Sequence, residues 1–415
     1  MNAALNLAGQ GFKVHLIEKE KELGGLARRL HYGLNGEEIP VYLSSLMEKV
    51  SHNPMITVYT EAAITKVLGY VGNFKTEIAA KGKLVQIEHG VAIIATGAFE
   101  YKPEEYLYQK DRRVTTLLEL EGEIAKKSAR LKKAKNAVFI QCVGSREEKR
   151  PYCSRVCCTQ SIKLALELKK TNPEINIFIL YRDIRTYGFK EDLYQKARDL
   201  GIIFIRYDLD NKPKVEAVKE GTKSSLMVSV YDPIVKEHLV IDTDILALAA
   251  ATCAPKENKE LSQFFKVPLT QDGFFLEAHM KLRPVDFATE GVFMCGLAHF
   301  PKFIDESIAQ AQAAASRATT VLVKDTMLSE GVVASIDRER CSGCMLCVRV
   351  CPYEAISFDE KEHVAQVNEV LCKGCGNCAA CCPSAACFVQ NFQDLQILAE
   401  VDALIEEIQG LGTGN

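Results

Sequence analysis

The chain has 415 residues, 47% hydrophobic and 25% charged, with a net charge of −3. That is the make-up of an ordinary globular protein of two or three domains, with no basic footprint for nucleic acid and no Lys/Arg block for a membrane surface. No apolar run reaches the ~18 residues of a membrane-spanning helix and no secretory leader is visible, so sixteen cysteines point to metal binding in a reducing, cytoplasmic compartment.

Residues 1–12 predict a helix with Ala4, Leu5, Ala8 and Phe12 on one face, stopped by Gly9 and Gly11. Val14 to Ile17 predict a buried strand closed by Glu18. A helix, a glycine stop and an apolar strand ending in an acid make the second half of a dinucleotide-binding βαβ unit, with the acid placed for ribose hydroxyls. The first half of that unit, a strand and its Gly-x-Gly-x-x-Gly turn, is absent from the sequence. A strand-end acid is also common without any ligand. Gly24 and Gly25 let the backbone pass close to a ligand, and Arg28 can meet a phosphate; a plain turn with a surface arginine is the simpler alternative. A helix over 42–50 and strands over 56–59, 64–68 and 74–79 follow. The fully apolar run Val91 to Ile94 then leads into Ala95-Thr96-Gly97, as parallel strands do at a ligand crevice.

Residues 111–136 read as a charged helix and linker, and Ala137 to Ile140 open a new sheet. A second nucleotide domain would carry another glycine-rich turn at that point. This chain has Gln141-Cys142-Val143-Gly144-Ser145-Arg146, a charged loop, and Cys153-Ser154-Arg155-Val156-Cys157-Cys158. A helix with Ile162, Ala165 and Leu166 on one face comes next. A strand over 175–181, a helix over 189–200 with Phe189, Leu193, Ala197 and Leu200 at helical spacing, and a strand over 202–207 continue the α/β alternation. Strands near 226–231 and 239–249 complete this part. Val292 to Met294 with Cys295-Gly296 form another apolar strand ending at glycine. Pro301-Lys302 then open an alanine-rich helix to about residue 323, whose N–H groups favour negative charge.

The most informative stretch comes last. Cys341, Cys344, Cys347 and Cys351-Pro352 repeat as Cys372, Cys375, Cys378 and Cys382-Pro383. This is the two-cluster bacterial ferredoxin spacing, in which the fourth cysteine of each run ligates the other cluster. Cys341, Cys344, Cys347 and Cys382 are therefore expected on one [4Fe–4S] cluster, and Cys372, Cys375, Cys378 and Cys351 on the other. Structural zinc uses Cys-x-x-Cys pairs but has no use for the third cysteine or the Cys-Pro ending. Cys142, Cys153, Cys157 and Cys158 follow no standard run. They stand at a strand's carboxyl end before a helix, with Arg146, Arg150 and Arg155 near enough in sequence to offset thiolate charge. A third [4Fe–4S] cluster, a zinc knot and a set of buried thiols are all open for them. Cys253, Cys295, Cys381 and Cys387 are expected to pack as small apolar residues. His299 stands in the same candidate loop as Lys302 and reads as a satisfied or surface histidine. A closing helix carries Leu395, Leu398, Val401, Ile405 and Ile408 on one stripe, expected to dock onto its own domain.

Together these pieces resemble the A-type iron–sulfur flavoprotein of heterodisulfide reductase over nearly the whole chain. The resemblance is most specific at Cys142-Val143-Gly144-Ser145-Arg146, at Tyr152 to Cys158, at Tyr181-Arg182-Asp183-Ile184-Arg185-Thr186-Tyr187-Gly188 and at Pro301-Lys302. It implies an α/β, thioredoxin-reductase-like flavoprotein core of two dinucleotide domains followed by an α+β ferredoxin domain. The expected divisions are an FAD-binding part at 1–136, a degenerate nucleotide domain with a third cluster at 137–252, a second FAD-binding part at 253–330, the ferredoxin domain at 331–392 and a tail at 393–415. It also implies that Glu18, Gly24, Gly25, Arg28, Thr96, Gly97, Gly296 and Lys302 line FAD, with Lys302 at the reacting ring. Because that family carries a preceding domain and the missing glycine turn, the chain is expected to be truncated at its N-terminus. No redox-active Cys-x-x-Cys lies in the core, so disulfide reduction falls to a partner. The implied partners are the other subunits, ferredoxin and a hydrogenase or dehydrogenase donor, in a homodimer within a larger hetero-oligomer. Two rival readings are an NAD(P)H-dependent flavoprotein reductase, which the missing second glycine turn opposes, and a non-catalytic cluster-carrying fragment.

Overall fold

The computed structural model describes residues 1–220, 223–326 and 331–411. The chain divides into two compact units, Met1–Leu322 and Val323–Asn415.

The first unit holds two strand systems. In one, Val14–Ile17 pairs in parallel with Ile56–Tyr59, and Ala92–Ile94 pairs in parallel with Val292–Met294. The predicted opening helix is confined to Asn2–Gly9, and the alanine-rich helix runs Ile304–Leu322. Ala311, Ala314, Ala315 and Ala318 are buried with Leu7, Phe293 and Cys295. The small side chains allow a close approach, which is why the long helix is alanine-rich on that face. A three-stranded antiparallel sheet, Ala62–Leu68, Phe74–Ala80 and Lys83–His89, lies beside these strands. Its third strand escapes sequence reading because Lys83 to His89 has a single buried position, Ile87.

The other system is a five-stranded sheet in the order Ile203–Arg206, Asn176–Tyr181, Asn136–Val143, Ile245–Ala250, Val114–Thr116, parallel throughout. Every residue from Ala137 to Val143 is buried, and the strand reads as an apolar run interrupted only by Gln141, as central parallel strands do. Phe139, Ile177, Ile179 and Ala247 pack against helices on one face, and Val138, Ile140, Leu180 and Leu248 pack against an antiparallel ribbon on the other. That ribbon contains Lys214–Glu220, Lys223–Asp232 and Glu237–Asp242. From sequence its last strand runs on into Ile245–Ala250; in the fold Thr243 and Asp244 separate the two. The expected helix and linker over 111–136 is corrected to the edge strand Val114–Thr116, the helix Leu117–Ala125 and the short helix Ala129–Lys133. A capping box sets the start of the middle element: Thr116 Oγ1 accepts from the Glu119 N–H at 3.3 Å, and Glu119 Oε2 accepts from the Thr116 N–H at 2.9 Å. The helix expected over 189–200 is α-helical at Glu191–Asp199. It buries Ala197, while Phe189 is 95% exposed and Leu200 is exposed.

Inside this unit one carboxylate is fully enclosed. Glu121 Oε1 accepts the N–H groups of His31 at 2.8 Å and Tyr32 at 3.0 Å. Its Oε2 accepts from Gln160 and from Lys163 Nζ, the latter at 3.1 Å, and Lys163 also donates to the Tyr32 carbonyl at 2.8 Å. The loop after Arg29 is thereby fastened to the helix Cys157–Thr171.

The second unit has two antiparallel pairs, Ala334–Ile336 with Cys387–Val389 and Ile356–Asp359 with Val364–Val367, and two short helices, Leu346–Val350 and Asn377–Ala380. The terminal helix begins at Asp394. Its expected docking face is not covered: Leu395, Leu398, Val401 and Ile405 are all exposed, and the Ile408 side chain lies outside the described residues.

Replacing Lys163 with Met would leave Glu121 charged, buried and unpaired. We expect Lys163→Met to cost about 3–5 kcal/mol in urea unfolding, and the double variant Glu121→Gln/Lys163→Met to cost less. Equal stability of Lys163→Met and the native chain would show that the pair is dispensable.

Candidate functional site

A cavity of about 2730 Å³ opens beside the carboxyl ends of the two parallel strand pairs. Parallel strands all deliver their following turns to one edge, which is where α/β sheets take ligands. Glu18, Gly24, Gly25, Arg28, Thr96, Gly97 and Lys302 all line it. Gly25 and Gly97 have φ of +50° and +72°, and a Cβ at either would meet no atom within 4 Å. Their bare backbone therefore borders open space. Gly24, with φ of +112°, is different: a Cβ there would come within 3.0 Å of Arg28 Cγ. Thr96 Oγ1 is committed to Asn258 Oδ1 at 2.8 Å. Glu18 Oε1 accepts from the Glu20 N–H at 3.0 Å. Arg28, expected to meet a phosphate, is paired with Glu22. Gly296 does not line the cavity, although its neighbours Cys295 and Leu297 do; its N–H donates to Gln310 Oε1 at 2.9 Å. Burial draws the Lys302 ammonium down to about 8, with Arg155 pushing the same way.

The same cavity is lined by Val156, Cys157 and Gln160. Cys142, next to last in the central strand, has φ of +61°, and Cys157 and Cys158 open the helix Cys157–Thr171. Cys142, Cys153 and Cys158 are near enough to Cys157 to oppose its ionisation, so the four predicted cysteines do converge. Burial pushes the Cys142 thiol up to about 11. Within the adjacent pair Cys158 is the more acidic thiol, because Cys157 hydrogen-bonds to it and Arg185 and Arg146 stand near. Arg146 reaches within 3.9 Å of Cys142 Sγ and pairs with Asp183 at 2.6 Å. The Arg155 N–H donates to Cys153 Sγ at 3.3 Å, while its guanidinium reaches the Pro301 carbonyl at 3.4 Å and Tyr187 Oη at 3.1 Å. Arg150, expected to offset thiolate charge, instead donates to the Gly144 carbonyl and stacks 4.2 Å over the Tyr101 ring. Asp183 and Arg185 belong to the run 181–188, and the Asp183 carbonyl stands 3.6 Å from Cys158 Sγ.

In the second unit Cys347, Cys351, Cys372, Cys378 and Cys382 form much of the core, together with Ala334, Ile356 and Ala365. Cys351, Cys372, Cys375 and Cys378 line one recess, the four cysteines assigned to a single cluster. Cys341 and Cys344 are close enough to Cys347 to hold its thiol up, after burial itself. Gly343 and Gly374 stand at matching places in the two runs, both with positive φ; a Cβ would meet the His363 carbonyl at 2.9 Å or the Val332 carbonyl at 2.5 Å. The middle cysteine of each run, Cys344 and Cys375, is exposed. Cys387 hydrogen-bonds to Cys378, Cys253 is buried with a hydrogen bond to Tyr152, and Cys295 is buried among apolar side chains. Among the described residues no three Cys, His, Asp or Glu side chains stand in single-ion ligand geometry.

Sequence reasoning misses Glu277, Gln310 and the Glu121–Lys163 pair. Each partner is distant in sequence and lies in a stretch that reads as a solvated face or loop, so no local pattern marks it.

Residues 340–386 match the model of a 4Fe-4S dicluster domain. Over 99% of its length the chain is 31% identical to the A-type iron-sulfur subunit of CoB–CoM heterodisulfide reductase from Methanocaldococcus jannaschii, covering 76% of that protein. It is 32% identical, over 98% of its length and 75% of the relative's, to the A-type subunit of an H2:CoB–CoM heterodisulfide, ferredoxin reductase of Methanothermobacter thermautotrophicus. Among solved structures it superposes on Lactococcus lactis thioredoxin reductase with a TM-score of 0.53 at 17% identity, covering 78% of this chain and 95% of that one. T. acidophilum thioredoxin reductase gives 0.51 at 17% identity, over 77% and 93%. These two likenesses give the fold of the core.

Gly144 has φ of +70°, and a Cβ on it would stand 2.4 Å from the Tyr101 ring. Gly144→Ala should therefore destabilise the chain by about 1–3 kcal/mol through backbone strain alone, and further by displacing Tyr101 from Arg150. An unchanged thermal midpoint would show that this turn is not rigidly held.

Proposed function

The chain belongs to the family of the A-type iron–sulfur subunit of CoB–CoM heterodisulfide reductase, and from that premise we propose that FAD occupies the large cavity and exchanges electrons with three [4Fe–4S] clusters. It is an oxidoreductase, an iron–sulfur flavoprotein electron-transfer subunit with a 4Fe-4S dicluster domain. The observation that carries the rest is a single cavity with two kinds of lining. Glu18, Thr96, Gly97 and Lys302 stand along it, and so does Cys157.

The residues present suit a flavin dinucleotide. Glu18 is placed for ribose hydroxyls, Gly25 and Gly97 offer bare backbone, and Lys302 supplies a cation whose partial neutralisation burial promotes. When bound, FAD would accept electrons in pairs and pass them on singly. The protein's own part is to hold that ring beside the cysteine helix, keep the cluster thiolates out of bulk water and balance their charge with Arg146 and Arg185. The donor set Cys142, Cys153, Cys157 and Cys158 is all-sulfur, as a [4Fe–4S] cluster requires, and its adjacent pair suits a cluster with several iron atoms.

Ferredoxin, the other subunits of a heterodisulfide-reductase-type complex and a hydrogenase or dehydrogenase donor are the proposed partners, with a homodimer inside that assembly. The proposed compartment is the cytoplasm, on the number of free thiols; among the described residues no helix is long and apolar enough to cross a membrane. Bifurcation of electron pairs at the flavin is part of the same proposal.

Anaerobically reconstituted protein should hold about 12 iron atoms per chain rather than about 8. Cys157→Ser with Cys158→Ser should remove about 4 and leave the EPR signals of the dicluster domain intact. An unchanged iron count, or zinc instead of iron, would refute the third cluster. NADH and NADPH should not bleach the bound flavin in stopped-flow mixing, because cysteines stand where a second pyrophosphate turn would lie; bleaching at catalytic rates would favour the nucleotide-dependent reductase.

A further inference from the structure

Behind Lys302 stand three polar side chains that electron transfer leaves without a task. Lys302 Nζ lies 3.1 Å from His299 Nδ1 and donates to Gln310 Oε1 at 2.5 Å. The Gly296 N–H also donates to Oε1, at 2.9 Å, which fixes the orientation of the Gln310 amide. Gln310 Nε2 is therefore the donor facing His299 Nδ1 at 2.8 Å. Two donors converge on Nδ1, so that nitrogen accepts, and the proton of the neutral ring sits on Nε2. Nε2 lies 2.9 Å from Glu277 Oε2. Lys302 lines the cavity, whereas His299, Gln310 and Glu277 do not. His299 keeps 22% of its side chain exposed and Glu277 12%, so the row meets solvent at both.

From this row we infer that Lys302, His299 and Glu277 form a proton line between the cavity and solvent, serving the proton that flavin oxidation releases and flavin reduction consumes. The inference rests on the flavin reading above. On oxidation two electrons leave one at a time to oxidised [4Fe–4S] clusters, and one proton must leave with them. Lys302 takes that proton at Nζ while one of its own N–H bonds breaks toward His299 Nδ1. His299 forms the Nδ1–H bond and breaks Nε2–H toward Glu277, whose carboxylate takes the proton and releases it to water. One pass leaves the ring with its proton on Nδ1, the form that can carry a proton inward. The next reduction then runs the row in reverse: Glu277 takes a proton from water and gives it to Nε2, Nδ1 gives its own to Lys302, and Lys302 gives one to the flavin. The tautomer thus alternates with the redox half-cycle.

The electrostatic surroundings agree with this role. Arg155 faces Lys302 as a like charge, and Glu306, Cys295 and Glu277 oppose it. His299 is kept neutral by burial and by Lys302 and Arg155, against Glu277. A neutral ring and a lysine that parts readily with a proton are what a relay needs. A static brace of the turn at 296–299 would need the hydrogen bonds but no mobile proton.

Two measurements test the line, and the second separates it from the brace. In the cofactor-free full chain, nitrogen-15 NMR of labelled histidine, assigned against His299→Gln, should show His299 protonated on Nε2; protonation on Nδ1 would overturn the inference. In reconstituted, FAD-loaded protein, His299→Ala should slow ferricyanide reoxidation of the photoreduced flavin by about tenfold or more, with a larger solvent isotope effect. Added imidazole should restore most of the rate. Glu277→Gln should slow the same step without lowering FAD content, which keeps the test alive if His299→Ala does not fold. Unchanged rates in Glu277→Gln, or slowing in His299→Ala that imidazole does not relieve, would overturn the proton line. A native chain that takes up no FAD would instead overturn the flavin reading, before any variant is made.

Discussion

A carboxylate with no water around it must find every partner inside the protein, and Glu121 does so. Its two oxygens hold the His31 and Tyr32 backbone, Gln160 and Lys163. Gln160 and Lys163 sit within two turns of Cys157 and Cys158 on the same helix. Tyr32 follows the segment of Gly24, Gly25 and Arg28. The distance between the glycine turn and the cysteine helix is thus fixed by charge that cannot be left unpaired, rather than by apolar packing that could slide. If FAD and a cluster occupy these walls as proposed, a rigid strap between them would bear directly on the rate of electron transfer, which depends steeply on separation.

Arg155 makes a second tie of this kind. Its backbone N–H reaches Cys153 Sγ, and its guanidinium reaches the Pro301 carbonyl, Tyr187 and Glu306. The cysteine loop and the start of the alanine-rich helix are therefore joined through one residue. A change in charge at the thiolates is felt at Arg155, and Arg155 stands beside Lys302. The two regions proposed for FAD and for the third cluster share electrostatics as well as a cavity.

Much of this is legible from residues alone. The twin cysteine runs announce their chemistry because iron coordination dictates spacing along the chain. The apolar runs ending at Thr96-Gly97 and Cys295-Gly296 announce strands because parallel sheets bury both faces. Short or half-exposed strands such as Val114–Thr116 and Lys83–His89 carry too little pattern to see. The terminal helix shows the opposite failure: its apolar stripe reads as a buried face, yet the described side chains lie in solvent. Periodicity reports that a face is apolar and is silent on whether anything covers it. Arg28, Arg150 and Gly296 stand where position suggests a ligand or thiolate contact, but their side chains or N–H groups turn to Glu22, Gly144 and Gln310 instead. The Lys302–His299–Glu277 row is invisible for another reason, since Glu277 meets His299 only through the fold.

Exposure of Cys344 and Cys375 carries a cost for the living cell. If each run holds its cluster as proposed, the exposed middle cysteine would bring the cluster near the surface, where a docked protein could exchange an electron over a short distance. Dioxygen is smaller than any protein and would find the same place. A centre arranged for quick outward traffic is for that reason open to oxidative loss of iron, and no tightening of the core can protect it without also closing the exit. A cell relying on clusters held this way would have to keep oxygen from them or rebuild them.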